Sequence, residues 1–360
     1  MNNIVRQDCE NVISRESDSL LTALRGQTIV ITGGTGFFGV WLAEMISCLN
    51  DTRKFGAKLV LMARRTNLFY EKAPHLAKRG DLTVIPQDVR TLIELPREAT
   101  FVIHAAGSPD SRLHASDPLQ TIDTIVNGAN AVLNAATRLP KLQKILLISS
   151  GLIYGKQPWE MNGIPENFMG SVDCSSAISA YVEAKRMSET IAAAFRSQHR
   201  LPIIVARPFA FIGPYQLMDR PWAINNFIRD ALRGGPIRIL GDGTTVRSYM
   251  YPSDMAFWLL RILAAGVSGR SYNLGSPDGI SLKDLAGKIA DCFPKKIKIE
   301  CRFLTNEVAR RSRLVPDVTL EKEALGLSVS VDLDTAIRRT ILWNQTIKMP
   351  SENALVDERV

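Results

Sequence analysis

Histidine and cysteine are scarce in this chain of 360 residues, four and five in number. The cysteines (Cys9, Cys48, Cys174, Cys292, Cys301) are scattered and form no C-x-x-C pair. That speaks against a zinc site or a disulfide framework and suits a reducing, cytoplasmic setting, so no metal is expected. Apolar runs of membrane-spanning length are missing too. The best, AFWLLRILAAGV (256–267), is short and carries Arg261, so it reads as a buried helix and no membrane partner is expected. The opening stretch MNNIVRQDCENVISRESD has no apolar core and is not a secretory signal. Aromatic residues make up 7%, and the net charge of +8 comes from Lys and Arg spread along the chain, without a basic tail or an aromatic platform. This argues against nucleic acid and for a solvated basic surface or an anionic small-molecule ligand. What is there is ordinary soluble composition, 46% hydrophobic and 22% charged, in a chain long enough for one large or two ordinary domains.

The apolar residues fall into short runs separated by longer amphipathic stretches. The pattern predicts strands over 28–32, 58–63, 82–86, 101–105, 145–149 and 203–207. It predicts helical segments over 38–49, around 92–95, over 118–138 and over 179–198. Strand–helix alternation implies parallel strands with right-handed crossovers, hence an α/β fold with a doubly wound parallel sheet. After about residue 208 Pro and Gly become frequent and the elements shorten, which predicts a smaller α/β domain from 208–248 and 276–345. Residues 249–275 rejoin the main sheet of a first domain that spans 26–207. Residues 1–25 read as a helical extension, and 346–360 as a polar, flexible tail.

Within the first strand–helix unit, ITGGTGFFG (31–39) places Gly34, Gly36 and Gly39 as G-x-G-x-x-G, with Gly33 beside them. A dinucleotide diphosphate needs neutralising by backbone N–H groups and a helix N-terminus, with no side chain in the way, and this order of strand, loop and helix provides that. The second strand, KLVLMARRTN, ends in Arg64 and Arg65 instead of the acid that usually meets the NAD ribose. Guanidinium groups suit a 2′-phosphate and favour NADP, although surface arginines are common and NAD stays open.

SAYVEAKRMSE holds Tyr181 and Lys185 four residues apart, on one face of a helix. A neighbouring ammonium favours tyrosinate, so Tyr181 could serve as a general base. ILLISSGLIYG ends a buried strand in Ser149 and Ser150, whose hydroxyls could bond a reacting oxygen. In this order and spacing the features resemble the extended short-chain dehydrogenase/reductase superfamily, in its NAD(P)-dependent nucleotide-sugar epimerase/dehydratase branch, over roughly residues 26–345. The resemblance implies a Rossmann-type domain and a catalytic set of Ser150, Tyr181 and Lys185. It implies cofactor contacts at Gly33, Thr35, Gly36, Phe37, Phe38, Gly39, Arg64, Arg65, Asp88 and Val89 (in QDVR). Ala105, Ala106 and Gly107 (in VIHAAG), Tyr181, Lys185 and Pro208 (in ARPFAFIGPYQ) complete that set. The substrate side falls on Ser108, Ser150, Arg247 (in PIRILGDGTTVRSYMYPSDMA) and Arg313 (in RSRLVPDVTLEKEALGL), two arginines that could grip a sugar diphosphate together. Lys185 would hold the nicotinamide ribose and depress the Tyr181 pKa. Relatives commonly dimerise through two helices, here 118–138 and 179–198, so a homodimer is expected.

Three positions depart from the branch. Leu152 and Gly151 stand where dehydratases and decarboxylases keep an acid after the catalytic hydroxyl, and Leu cannot move a proton. Ala210 and Ile125 stand where many relatives have Asn. The expected activity is therefore hydride transfer on a nucleotide-diphosphate sugar, at C4, as a 4-epimerase or 4-keto reductase of polysaccharide or deoxysugar synthesis. One alternative is a dehydratase or decarboxylase with substitute acids at Glu160 or Asp173. Another is a non-catalytic cofactor-binding scaffold.

Overall fold

The computed structural model describes residues 3–15, 18–302 and 312–346. In chain order the strands are β1 (Thr28–Thr32), β2 (Lys58–Ala63), β3 (Leu82–Pro86), β4 (Phe101–His104), β5 (Lys144–Ile148), β6 (Ile203–Pro208) and β7 (Ala210–Phe211). They continue with β8 (Ile237–Leu240), β9 (Val246–Met250), β10 (Ser271–Leu274), β11 (Gly279–Ser281), β12 (Ile299–Arg302) and β13 (Arg313–Leu314). The helices are α1 (Asn3–Arg15), α2 (Phe37–Arg53), α3 (Asn67–Lys72), α4 (Pro74–Ala77), α5 (Ser111–Ser116) and α6 (Pro118–Ala136), then α7 (Ala180–His199), α8 (Ala223–Leu232), α9 (Pro252–Ala265), α10 (Leu282–Ala290), α11 (Thr319–Leu325) and α12 (Leu333–Thr346).

Seven strands form one parallel sheet in the order β10-β6-β5-β4-β1-β2-β3. Side chains alternate across it. Ile29, Ile31, Leu59, Leu61, Phe101 and Ile103 face the layer of α1, α2 and α9, while Val30, Val60, Met62 and Val102 face that of α6 and α7. Both faces are covered, which is why these strands read as continuous apolar runs. The strand order reverses between β1 and β4, the switch point at whose carboxyl ends open α/β sheets take their ligands. Outside the main sheet, β7, β9, β11 and β13 form a small sheet and β8 pairs with β12. The chain returns to the main sheet through α9, the buried helix expected at 256–267, and β10.

One expected helix is absent. After a single 3-10 turn at Val89–Thr91, residues 92–96 run without helical structure. Leu92 and Leu95 are buried all the same. Pro96 disfavours a helical conformation at the residue before it, so the two leucines reach the core from an irregular segment. Residues 303–311 of the expected second domain, and all but the first residue of the expected tail, lie outside the described residues. Among the described residues no helix is long and apolar enough to cross a membrane.

In the N-terminal extension the described residues form α1 and a 3-10 helix over Asp18–Leu24, and α1 packs on α2 and α9. Its Asp8 is 2% exposed, accepts a hydrogen bond from the Tyr251 hydroxyl at 2.5 Å and pairs with Arg339 at 2.7 Å. Burial pushes the Asp8 carboxyl up to about 6, against the opposing pull of Tyr251 and Arg339. A carboxyl raised on folding stabilises the fold below its unfolded pKa, and that contribution is lost as pH rises through the folded one. Relative to Asp8→Asn, the wild type is therefore expected to lose up to about 3 kcal/mol between pH 4 and pH 7. Denaturant titrations of both proteins at each pH check this, and parallel pH profiles would refute it.

Candidate active site

The glycine loop follows β1 at this switch point. Gly33 has φ +69°, and a Cβ there would lie 2.7 Å from the carbonyl oxygen of Ala105. At Gly39 a Cβ would run into the backbone of Gly34, 2.5 Å from its Cα. These two glycines let loop, helix and strand close on one another. Gly36 differs: it is exposed, it caps α2 with no side-chain bond, and a Cβ there would approach only the Gly33 carbonyl, at 3.1 Å. The first-turn N–H groups of α2, from Phe37, Phe38 and Gly39, have no partner within the helix and lie at the positive end of its dipole. This cradle fits a dinucleotide diphosphate. Thr35 ties it to the next strand, its hydroxyl donating to the Arg65 carbonyl at 3.3 Å.

Arg64 and Arg65 are both exposed at the end of β2. Beyond β3, Asp88 accepts from the Arg90 backbone N–H at 2.9 Å and from the Arg90 guanidinium at 2.7 Å. The Arg90 bonds hold the Asp88 carboxyl below its usual range, and Arg64 adds to the effect. Val89 is buried against Gly128 of α6. Across the switch point, β4 runs into half-buried Ala105, buried Ala106 and half-buried Gly107, whose φ of +137° carries the chain past Lys185. Pro208 ends β6 beside Leu274.

Ser150, Tyr181 and Lys185 meet at the end of β5. Ser150 caps a 3-10 turn, Gly151–Tyr154, accepting from the Leu152 N–H at 3.2 Å. It also bonds the Tyr181 hydroxyl. Gly151 is glycine because a Cβ would press on the Phe209 ring at 2.9 Å. Tyr181 and Lys185 are buried on the first turns of α7. Here the structure corrects the expected electrostatics. Burial raises the Tyr181 pKa and the Ser150 bond draws it partly back. The Lys185 ammonium donates to the Ile148 carbonyl at 2.8 Å and stands 6.0 Å from the centre of the tyrosine ring, so it is not what pulls the phenol. Burial brings Lys185 itself down to about 8. His104 beneath, bonded to the Thr32 hydroxyl at 2.7 Å, is pushed down to about 3 by burial and by the Lys185 charge.

Sequence reasoning missed His114. On α5, its ring stacks on Tyr181 with centroids 4.2 Å apart and planes 11° from parallel. A lone histidine in SRLHAS carries no periodic or motif signal. Only the approach of α5 to α7 reveals it.

On the substrate side Ser108 is exposed, and its hydroxyl accepts from the Asp110 N–H at 3.3 Å. Leu152 is 45% exposed beside Ser150. The two arginines are not brought together. Arg247 is partnered with Leu314 and donates to the Ser312 hydroxyl at 3.0 Å, whereas Arg313 is partnered with Val246. Alternation therefore sends them off opposite faces of the small sheet. Arg313 lies 5.8 Å from the Trp159 ring. The suggested substitute acids are both exposed. Ser175 caps Asp173 through its N–H and hydroxyl and lowers its pKa, the opposite of what a proton donor needs. Ala210 pairs with Tyr249 between β7 and β9, and Ile125 is buried beside Tyr181 and Ala184. Among the described residues, no group of three or more His, Cys, Asp or Glu could hold a metal ion.

The family model described as NAD dependent epimerase/dehydratase family matches residues 29–275. UDP-glucuronic acid decarboxylase 5 of Arabidopsis thaliana is 30% identical over 308 residues, covering 85% of each chain. UDP-glucuronic acid decarboxylase 2 of the same plant is 29% identical over 310 residues, 86% of this chain but only 66% of the relative. Among solved structures, a UDP-glucuronic acid 4-epimerase from Bacillus cereus, in complex with UDP-glucuronic acid and NAD, superposes with a TM-score of 0.77 at 21% identity. That match covers 89% of this chain and 99% of the other.

Proposed function

The chain belongs to the NAD dependent epimerase/dehydratase family, and from that premise we propose that it moves hydride between a nicotinamide dinucleotide and a nucleotide-diphosphate sugar at C4, as a 4-epimerase or 4-keto reductase. The observation that carries this is the meeting of Ser150, Tyr181 and Lys185 beside the glycine cradle. Ser150 holds the sugar oxygen, Tyr181 exchanges a proton with it, and Lys185 holds the dinucleotide ribose while keeping its own charge. The dinucleotide, when bound, supplies the hydride carrier. Epimerisation and ketone reduction need no further acid, which agrees with Leu152 at the one position where an acid would be asked for. Arg247 is the better placed of the two arginines for the diphosphate, sharing its face of the small sheet with Leu314, which packs with Ile153 and Tyr154 of the Ser150 turn.

A second reading, decarboxylation, is favoured by the names of the relatives at 29–30% identity. One experiment separates the two: incubation with UDP-glucuronic acid and NAD, followed by mass spectrometry of the sugar nucleotide. No loss of carbon dioxide is expected, and its loss would replace the first reading with the second. Denaturing the purified protein and identifying any released nucleotide divides what remains. Retained oxidised cofactor supports the epimerase, while an empty protein that binds reduced cofactor reversibly supports the reductase.

Arg64 and Arg65 favour NADP, since neither β2 nor its end offers a carboxylate to a ribose 2′-hydroxyl. Charge reversal at both positions is expected to shift the NADPH/NADH dissociation-constant ratio at least about tenfold towards NADH. An unchanged ratio in equilibrium titrations would leave the arginines outside the cofactor site. The five thiols are all free, which suits a reducing cytoplasm. Exposed Leu119, Ile122 and Met187 on α6 and α7 support a homodimer through those helices, and a single-chain mass by light scattering would remove it.

A further inference from the structure

The Tyr181 phenol has a wall that the reading above does not use. We propose that His114 is a positioning residue for Tyr181, its flat ring fixing the plane of the phenol and keeping water from one face. At a centroid distance of 4.2 Å and 11° between planes the two rings are stacked, closer than most aromatic pairs. The imidazole cannot turn away, because its Nε2 lies 2.7 Å from the Ser108 carbonyl. A carbonyl only accepts, so Nε2 carries the hydrogen.

The helix beneath His114 is anchored as well. Asp110 caps α5 by accepting from the Arg112 N–H at 3.0 Å, and it pairs with Arg112 at 2.7 Å and with Arg220 at 2.5 Å. Arg220 comes from the segment between β7 and α8, so the wall is tied to that connection. The charged groups acting on the imidazole are Asp110 and Lys185, and the hydroxyl acting on the phenol is that of Ser150. Burial is the largest influence on both rings, lowering the His114 pKa and raising that of Tyr181.

The test follows from what raises the Tyr181 pKa. Taking the imidazole away admits water to the phenol face, so the titration of Tyr181 should move down towards the ordinary tyrosine value of about 10. A phenyl ring at 114 keeps the wall and loses only the bond to Ser108. The readout is phenolate absorbance on raising pH, with the Tyr181→Phe curve subtracted to remove the other six of seven tyrosines. His114→Ala and His114→Gln are expected to shift the curve downward, and His114→Phe to leave it as in the wild type. Glutamine keeps a donor for the Ser108 carbonyl, so it separates ring from hydrogen bond, and it carries the test alone should the alanine variant not fold. A glutamine variant that titrates like the wild type would overturn the proposal, as would a phenylalanine variant that shifts as far as alanine. The proposal rests on Tyr181 as the reactive phenol, but the titration needs no turnover. It can fail while the proposed activity stands, and the activity can fail while the wall is confirmed.

Discussion

Tyr181→Phe is expected to lower turnover of the sugar nucleotide by about 10³-fold, within the range that a positioned acid–base group supplies. The substitution removes one oxygen and little else. The ring keeps its stack on His114 and its contacts with Ile125 and Ala184. The Ser150 hydroxyl loses a partner but keeps the Leu152 N–H. Stability should therefore change by no more than about 1 kcal/mol, the usual net worth of one hydrogen bond. Dinucleotide binding should be unchanged, because Lys185 and the glycine cradle are untouched. This pairing of a large kinetic loss with a small thermal shift separates an enzyme from a scaffold. Product analysis by chromatography and a melting curve on the same preparation are sufficient. Turnover within a few-fold of wild type would take Tyr181 out of the chemistry.

The second large effect belongs to the loop. In Gly39→Ala the new Cβ meets the backbone of Gly34, 2.5 Å from its Cα, and no rotamer relieves that. The first turn of α2 must move away from β1. The expected outcome is a loss of about 1–3 kcal/mol of stability and at least about 10²-fold in dinucleotide affinity. Gly36→Ala is the informative contrast. Its Cβ approaches only the Gly33 carbonyl, at 3.1 Å, so folding should survive while the methyl stands where a phosphate would come. Melting temperature and a fluorescence titration with reduced cofactor check both variants. Equal affinities for Gly36→Ala and wild type would mean that the cradle holds no diphosphate.

The glycine loop was legible in the sequence because strand, turn and helix sit in one short window whose steric demands are local. The strands of the main sheet were legible for a similar reason. Both faces are covered, and continuous apolar runs record that directly. Spacing put Tyr181 and Lys185 on one helix face, and the family resemblance added Ser150 to them. Their electrostatics could not be named. That Lys185 donates to Ile148 and stands off the phenol depends on where β5 ends relative to Lys185 on α7, 37 residues after Ile148. The segment 92–95 misled because its leucines are buried like those of a helix, while Pro96 and the short connection to β4 keep the backbone irregular.

The sequence by itself determined the strand–helix alternation, the glycine turn between β1 and α2, and the shared helix face of Tyr181 and Lys185, all features whose physical cause lies within a few turns of chain. Only the tertiary structure decided that Arg247 and Arg313 leave opposite faces of a sheet, that α1 is pinned by Asp8 to Tyr251 and Arg339, and that His114 lies flat on Tyr181. Each of these is a contact between segments far apart in the chain. Strand register and the reversal of sheet order set such contacts, and no local periodicity carries either.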